Sequence, residues 1–120
     1  MIQVLSAEVR RIGNTIKWSA VGWAVAWKNE KSLRQWTVVN IASAALALSL
    51  DLTPGERALI LALGLLILAA ELMNTGIEEV VDYISRDIHP SAKRAKDCGS
   101  AAVAVTAIAG GVAWLVIFLG

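Results

Sequence analysis

The sequence predicts an all-α membrane protein with three spanning helices and one amphipathic helix on the membrane surface. Of its 120 residues, 57% are hydrophobic, and the mean hydropathy of +0.61 is high for a water-soluble domain of this size. Long stretches carry no charge at all. Tryptophan, which favours the membrane–water interface, occurs 5 times. We expect a single domain over residues 1–120.

The first predicted helix covers residues 4–29 and lies on the membrane surface. Arg10, Lys17 and Lys28 cluster on one side, and an apolar stripe at helical spacing lies opposite them, formed by Leu5, Val9, Ile12, Ile16, Trp23 and Trp27. Such a helix rests with its apolar stripe in lipid. Ordinary packing on a soluble core is the alternative. Glu30 extends the apolar side, so we expect its carboxylate to point toward protein.

The three predicted spans cover residues 33–51, 56–84 and 98–119, and each has about the ~20 residues that a bilayer requires or more. Thr53 is expected to cap the second span, with Pro54 at its first position and Glu56 at its third. Of the 11 Lys and Arg residues, only Arg57 lies between the first two spans. The positive-inside rule therefore places the N-terminus and the second loop in the cytoplasm. No secretory signal pattern is visible, so we expect insertion to depend on the spans.

Acidic residues in the second span are the most informative feature of the sequence. Asn74, Glu78 and Asp82 fall within roughly 60° of Glu71, on one helical face. An ionisable group inside a membrane helix costs at least ~2.5 kcal/mol, so such groups mark function. Carboxylates at this spacing suit metal binding or proton abstraction. A contact between helices or a path for protons or ions is the alternative.

The segment before the third span predicts a phosphate site. We expect Lys96 and Asp97 to stand at the N-terminus of the helix, with Asp97 as N-cap, where free backbone N–H groups attract phosphate. Carboxylates also bind Mg²⁺ together with phosphate oxygens. These features suit phosphoryl transfer, whereas capping and membrane anchoring are the alternative. A net charge of +1 gives no reason to expect a nucleic-acid partner.

Three strings of the sequence resemble the bacterial integral-membrane diacylglycerol kinases: ELMNTGIEEVVD (71–82), AKRAKDCGSAAV (92–103) and WKNEKSLRQ (27–35). The resemblance implies a homotrimer in the bacterial inner membrane, with its active site in the cytoplasm. It also implies phosphorylation of 1,2-diacylglycerol to phosphatidic acid with ATP and Mg²⁺. Small residues in the spans independently favour self-association, because they allow helices to approach closely in lipid.

The same resemblance assigns roles to individual residues. Glu71 corresponds to the general base that takes the proton of the lipid hydroxyl, and Glu30 and Glu78 to the ligands of the Mg²⁺–nucleotide complex. It assigns further nucleotide contacts to Asn74, Asp82, Asp87, His89, Lys96 and Asp97. It assigns contacts with the lipid substrate to Arg11, Trp27 and Gln35, together with Glu71.

Two other functions stay open from the sequence. The loop His89–Ser91 is similar to that of relatives that phosphorylate undecaprenol, whereas residues 33–35 and 96–100 favour diacylglycerol. Trp18 replaces a tyrosine of the family. A non-enzymatic carrier of ions or protons could use Glu71 as its relay. A membrane-anchored binding module would leave the acids inside the membrane unexplained.

Overall fold

The computed structural model describes all 120 residues as four helices: α1 (Ile2–Asn29), α2 (Lys31–Ser49), α3 (Pro54–Ile84) and α4 (Pro90–Leu119). The all-α class is therefore confirmed. α3 is the central helix and packs along both α2 and α4. Two helices, α3 and α4, are long and apolar enough to cross a membrane. The first predicted span, residues 33–51, corresponds to α2, which is 19 residues long, and its crossing of the membrane stays a prediction.

The start of α3 has the predicted capping box. Thr53 Oγ1 accepts a hydrogen bond of 3.2 Å from the backbone N–H of Glu56. In return, Glu56 Oε1 accepts one of 2.9 Å from the backbone N–H of Thr53. Pro54 follows the cap, where its missing N–H costs nothing. The helix therefore begins where the sequence predicts, within two residues.

Arg57 closes the turn between α2 and α3. Its Nε donates to the carbonyl of Ala47 at 3.1 Å, and its Nη2 donates to the carbonyls of Leu50 and Leu52 at 3.4 and 3.3 Å. The last carbonyls of a helix have no partner within the helix. The arginine supplies donors to them and ties the two helices together at this end.

A small apolar core lies near the same end of the bundle. Ala47, Ile60 and Ala113 are buried together, one from each of α2, α3 and α4. Beside them the indole Nε1 of Trp114 donates a 2.9 Å hydrogen bond to Ser43 Oγ. This bond satisfies two polar groups that would otherwise face an apolar interior. The core thus joins all three helices of the bundle.

Most of the molecule is not buried by its own folding. Only 9 of 120 residues are buried, and the radius of gyration is 18.1 Å, against about 14 Å for a compact chain of this length. In α1 only Ala26 is buried, and the apolar stripe is exposed, for example Leu5 at 60% and Ile16 at 64%. A surface of this kind requires lipid or another protein to cover it.

The start of α4 differs from the predicted start of this helix. The helix begins at Pro90, and the His89 side chain caps it: Nδ1 accepts a 3.0 Å hydrogen bond from the backbone N–H of Ser91. Lys96 and Asp97 therefore lie inside the helix, where their backbone N–H groups are already bonded, and Asp97 is not an N-cap. The physical reason is that Pro90 suits a first helical position and the charged residues after it continue a helix well.

Candidate active site

The site is organised by a break between α1 and α2 at Glu30. Its backbone is extended, with φ −112° and ψ 106°, so the chain changes direction at this single residue. The guanidinium of Arg34 donates to the carbonyl of Trp27 and, at 3.2 Å, to that of Lys28, which satisfies the end of α1. The break presents the carboxylate of Glu30 to α3.

The carboxylate of Glu30 lies near enough to the acids of α3 to be influenced by their charge. Burial raises the pKa of Glu30 above its ordinary value, and the negative charges of Glu78, Glu71 and Glu79 raise it further, against a smaller opposing effect of Arg34. Glu30 is half-buried, and the orientation of its carboxylate toward protein stays a prediction. Glu71 is 4% exposed, and its Oε2 accepts a 3.0 Å hydrogen bond from Ser32 Oγ.

Asn74 connects this acidic cluster to α4. Its Nδ2 donates to Glu78 Oε1 at 3.3 Å, whereas its Oδ1 is buried without a hydrogen-bond partner. The amide lies directly against the backbone of Gly99, where an added Cβ would be 2.4 Å from Oδ1. A glycine is therefore needed at this point of α4. A buried, unpartnered oxygen beside two carboxylates is a free acceptor at the site.

Farther along α3, Asp82 pairs with a lysine of α4. Lys96 Nζ lies 2.8 Å from Asp82 Oδ1, and both side chains are 40% exposed. Asp97 instead pairs with Lys93, one helical turn earlier, at 2.6 Å. Lys96 and Asp97 thus have different partners, because neighbouring residues of a helix point in different directions.

Lys96 and Asp97 nevertheless share a cavity with two other predicted nucleotide residues, Asp87 and His89. A cavity of about 270 Å³ at the start of α4 is lined by Asp87, His89, Lys96 and Asp97, with Arg86, Ile88, Ala92 and Lys93 completing its wall. Its wall carries three basic side chains, two of them paired with aspartates, and also Asp87 and Asp97. The structure therefore brings together the predicted nucleotide residues of α4 and those of the preceding loop.

The predicted lipid contacts are spread along the chain. Trp27 is 39% exposed and stacks on Trp23 with ring centroids 6.1 Å apart. It lies in the last turn of α1, close to the break at Glu30. Gln35 is exposed in the first turns of α2. Arg11 lies 19 residues before Glu30, about 28 Å along a helix, and pairs with Glu8 at 3.7 Å. Within one chain, Arg11 is not brought to the acidic cluster.

The carboxylates are consistent with a magnesium ion held jointly with phosphate. No three His, Cys, Asp or Glu side chains converge closely enough to bind a metal by themselves. Mg²⁺ usually takes only one or two carboxylates and completes its shell with water and substrate phosphate oxygens. The raised pKa of Glu30 reflects burial first and then neighbouring negative charge, which a divalent cation would offset. Glu30 and Glu78 are the residues that would hold it.

Ser32 is a site residue that sequence reasoning misses. It lies 39 positions before Glu71, and no periodicity relates the two positions. The available signal is weak: a small hydroxyl residue in the first turn of a helix, two residues after a carboxylate on an apolar face. Only the packing of α2 on α3 shows what the hydroxyl contacts.

Comparison with known proteins agrees with this arrangement. A model of the family described as "Prokaryotic diacylglycerol kinase" matches residues 17–118. The diacylglycerol kinase of Pseudomonas aeruginosa is 43% identical over 93% of this chain and 91% of its own length. That of Escherichia coli is 35% identical over 89% and 88%, and that of Haemophilus influenzae 36% identical over 84% and 86%.

The matched range contains the break at Glu30, the acidic face of α3 and the charged start of α4, so it includes every residue of the candidate site except Arg11. Identity of this extent over nearly the whole length of several relatives identifies a family. The chain belongs to the prokaryotic diacylglycerol kinase family.

Proposed function

We propose that the chain is an ATP-dependent lipid kinase that phosphorylates 1,2-diacylglycerol to phosphatidic acid. The observation that carries the proposal is Glu71, a carboxylate 4% exposed on a helix long and apolar enough to cross a membrane. Its position on α3 suits an acceptor at headgroup level, and the relatives are named for the same reaction. Those names favour diacylglycerol over undecaprenol.

The depth of each acid along α3 supports this assignment. At a rise of ~1.5 Å per residue, Glu71 lies about 26 Å from the start of α3, Glu78 about 36 Å and Asp82 about 42 Å. The hydrocarbon core of a bilayer is about 30 Å thick. With the helix start at one surface, Glu71 lies just inside the opposite surface and Asp82 beyond it. A lipid hydroxyl and a water-soluble nucleotide can meet between those levels.

The reaction assigns a task to each group. The oxygen of the lipid hydroxyl attacks the γ-phosphorus of ATP, the bond from that phosphorus to the β,γ-bridging oxygen breaks, and ADP leaves. Glu71 accepts the hydroxyl proton, because an alcohol is a poor nucleophile at neutral pH. Lys96 stabilises charge on the transferring phosphate. Mg²⁺, held by Glu30 and Glu78, would neutralise phosphate charge when bound.

The remaining residues bind and orient the substrates. Asn74 and Asp82 support Glu78 and Lys96 through their hydrogen bond and ion pair. Asp87, His89 and Asp97 contact the nucleotide from the loop and from the first turns of α4. Arg11, Trp27 and Gln35 face lipid.

The membrane arrangement completes the proposal. We place α2, α3 and α4 across the bacterial inner membrane and α1 on its cytoplasmic surface, with the N-terminus and the site in the cytoplasm. A homotrimer is supported by the very small number of residues that one chain buries by itself. A second copy can also bring its Arg11 toward the site.

The test is transfer of radiolabelled γ-phosphate from ATP to diacylglycerol and to undecaprenol in mixed micelles. We expect Mg²⁺-dependent transfer to diacylglycerol, and a loss of at least ~100-fold in Glu71→Gln with nucleotide binding retained. Glu79→Gln, an exposed glutamate of the same helix, serves as the matched control. Preference for undecaprenol would overturn the acceptor, and near-parental turnover in Glu71→Gln would remove Glu71 as the base. Proton or ion flux without ATP use would favour the carrier.

A further inference from the structure

The hydrogen bond between Ser32 and Glu71 joins the break after α1 to the middle of α3. Ser32 is the second residue of α2 and is half-buried. Its Oγ donates to Glu71 Oε2 at 3.0 Å. Glu30, two residues earlier, begins the new helix direction, and this direction is what turns the Ser32 hydroxyl toward α3. No other side chain donates to this carboxylate within the chain.

The two oxygens of Glu71 differ in their surroundings. Oε2 is occupied by Ser32, whereas Oε1 has no hydrogen-bond partner and is not among the fully buried polar atoms. Oε1 is therefore the oxygen that stays accessible to an incoming group. A buried carboxylate with no donor would be strongly disfavoured, so the serine also makes the position tolerable for a charge.

We infer that Ser32 is a positioning residue, whose hydroxyl holds one oxygen of Glu71 so that the other faces the lipid hydroxyl. This inference rests on the proposed function of Glu71 as the base. A general base must lie within about 2.6–3.2 Å of the group whose proton it takes. A carboxylate on a flexible side chain meets that requirement more often when one of its oxygens is fixed.

A purely structural role for the bond makes a different prediction. Ser43, on the same helix, accepts a bond of similar length from Trp114 across to α4, away from the acidic cluster. A bond that only holds helices together lowers stability when it is removed and leaves the rate per folded molecule unchanged. A positioning bond lowers kcat and leaves the KM values for ATP and lipid nearly unchanged.

The experiment measures kcat and both KM values for the full chain and for Ser32→Ala, Ser32→Thr and Ser43→Ala in mixed micelles. We expect kcat to fall roughly tenfold in Ser32→Ala, to recover within about threefold in Ser32→Thr, and to stay within about twofold in Ser43→Ala. The infrared carboxylate band that Glu71→Gln removes should shift in Ser32→Ala.

Three outcomes overturn the inference in distinguishable ways. Parental kcat and an unshifted band in Ser32→Ala remove the positioning role and leave the kinase intact. An unaltered parent protein that transfers no phosphate to either lipid alcohol defeats the proposed function, and the positioning role with it. A fall in kcat that Ser32→Thr does not restore also contradicts the inference, because threonine keeps the hydroxyl.

Discussion

Replacing Gly99 by alanine tests whether the close approach of α3 and α4 sets the geometry of the site. The new Cβ would lie 2.4 Å from Asn74 Oδ1, 3.3 Å from Asn74 Cγ and 3.4 Å from Ile77 Cδ1. Favourable contacts between heavy atoms lie near ~3.5 Å. The amide of Asn74 must therefore move by about 1 Å, and its hydrogen bond to Glu78 moves with it.

The expected effect is large on activity and modest on stability. Overpacking costs about 1–3 kcal/mol, and exchanging glycine for alanine within a helix returns about 1 kcal/mol. The free energy of unfolding should thus fall by no more than about 2 kcal/mol. Displacement of site groups by about 1 Å lowers rates by up to ~100-fold, so we expect a loss of ten- to one-hundred-fold in kcat.

The assay is the initial rate of phosphate transfer to diacylglycerol, with nucleotide binding and detergent-based unfolding measured on the same preparations. Gly110→Ala is the matched control, because it lies on the same helix and an added Cβ there has no neighbour within 4 Å. It gains the same helical preference with no clash. A rate in Gly99→Ala within twofold of that control would refute the steric reasoning.

Three further outcomes are expected. Because the pKa of Glu30 is raised above its ordinary value of 4.5, its carboxyl becomes protonated at a higher pH than a free glutamate does. The KM for Mg²⁺ should therefore rise as the pH falls toward that raised pKa, and Glu30→Gln should weaken this pH dependence. Lys96→Gln should cost under ~1 kcal/mol of stability because its pair with Asp82 is 40% exposed, but it should lower kcat. A fall in kcat no larger than the loss of folded protein explains would contradict the role of Lys96 in phosphate transfer. Thr53→Ala removes the capping box and should lower the free energy of unfolding by about 1 kcal/mol without changing the rate per folded molecule.

Local signals in the sequence predicted the parts of the fold that depend on neighbouring residues. The cap at Thr53 was predictable because its partner lies three positions away, and the acidic face of α3 because helical spacing relates its members. The family resemblance added the tasks of individual groups. The helical pattern of α1 predicted only that Glu30 points toward protein, and its grouping with Glu78 came from the resemblance.

The parts that sequence reasoning missed depend on contacts between distant segments. The hydrogen bond from Ser32 to Glu71 joins two helices, as does the contact of Asn74 with Gly99. The predicted start of α4 was wrong for another reason. Charged residues before an uncharged stretch mark where a membrane segment begins, whereas His89 and Pro90 mark where the helix begins, and these two boundaries differ.

The small number of buried residues, 9 of 120, has a consequence for any measurement of stability. Because so little apolar surface is removed from the surroundings by the chain itself, the surrounding amphiphile acts as part of the folded state. A melting temperature obtained in one micelle describes that mixture and changes with the ratio of detergent to protein. Variants of this protein are therefore comparable only at matched amphiphile composition and protein concentration.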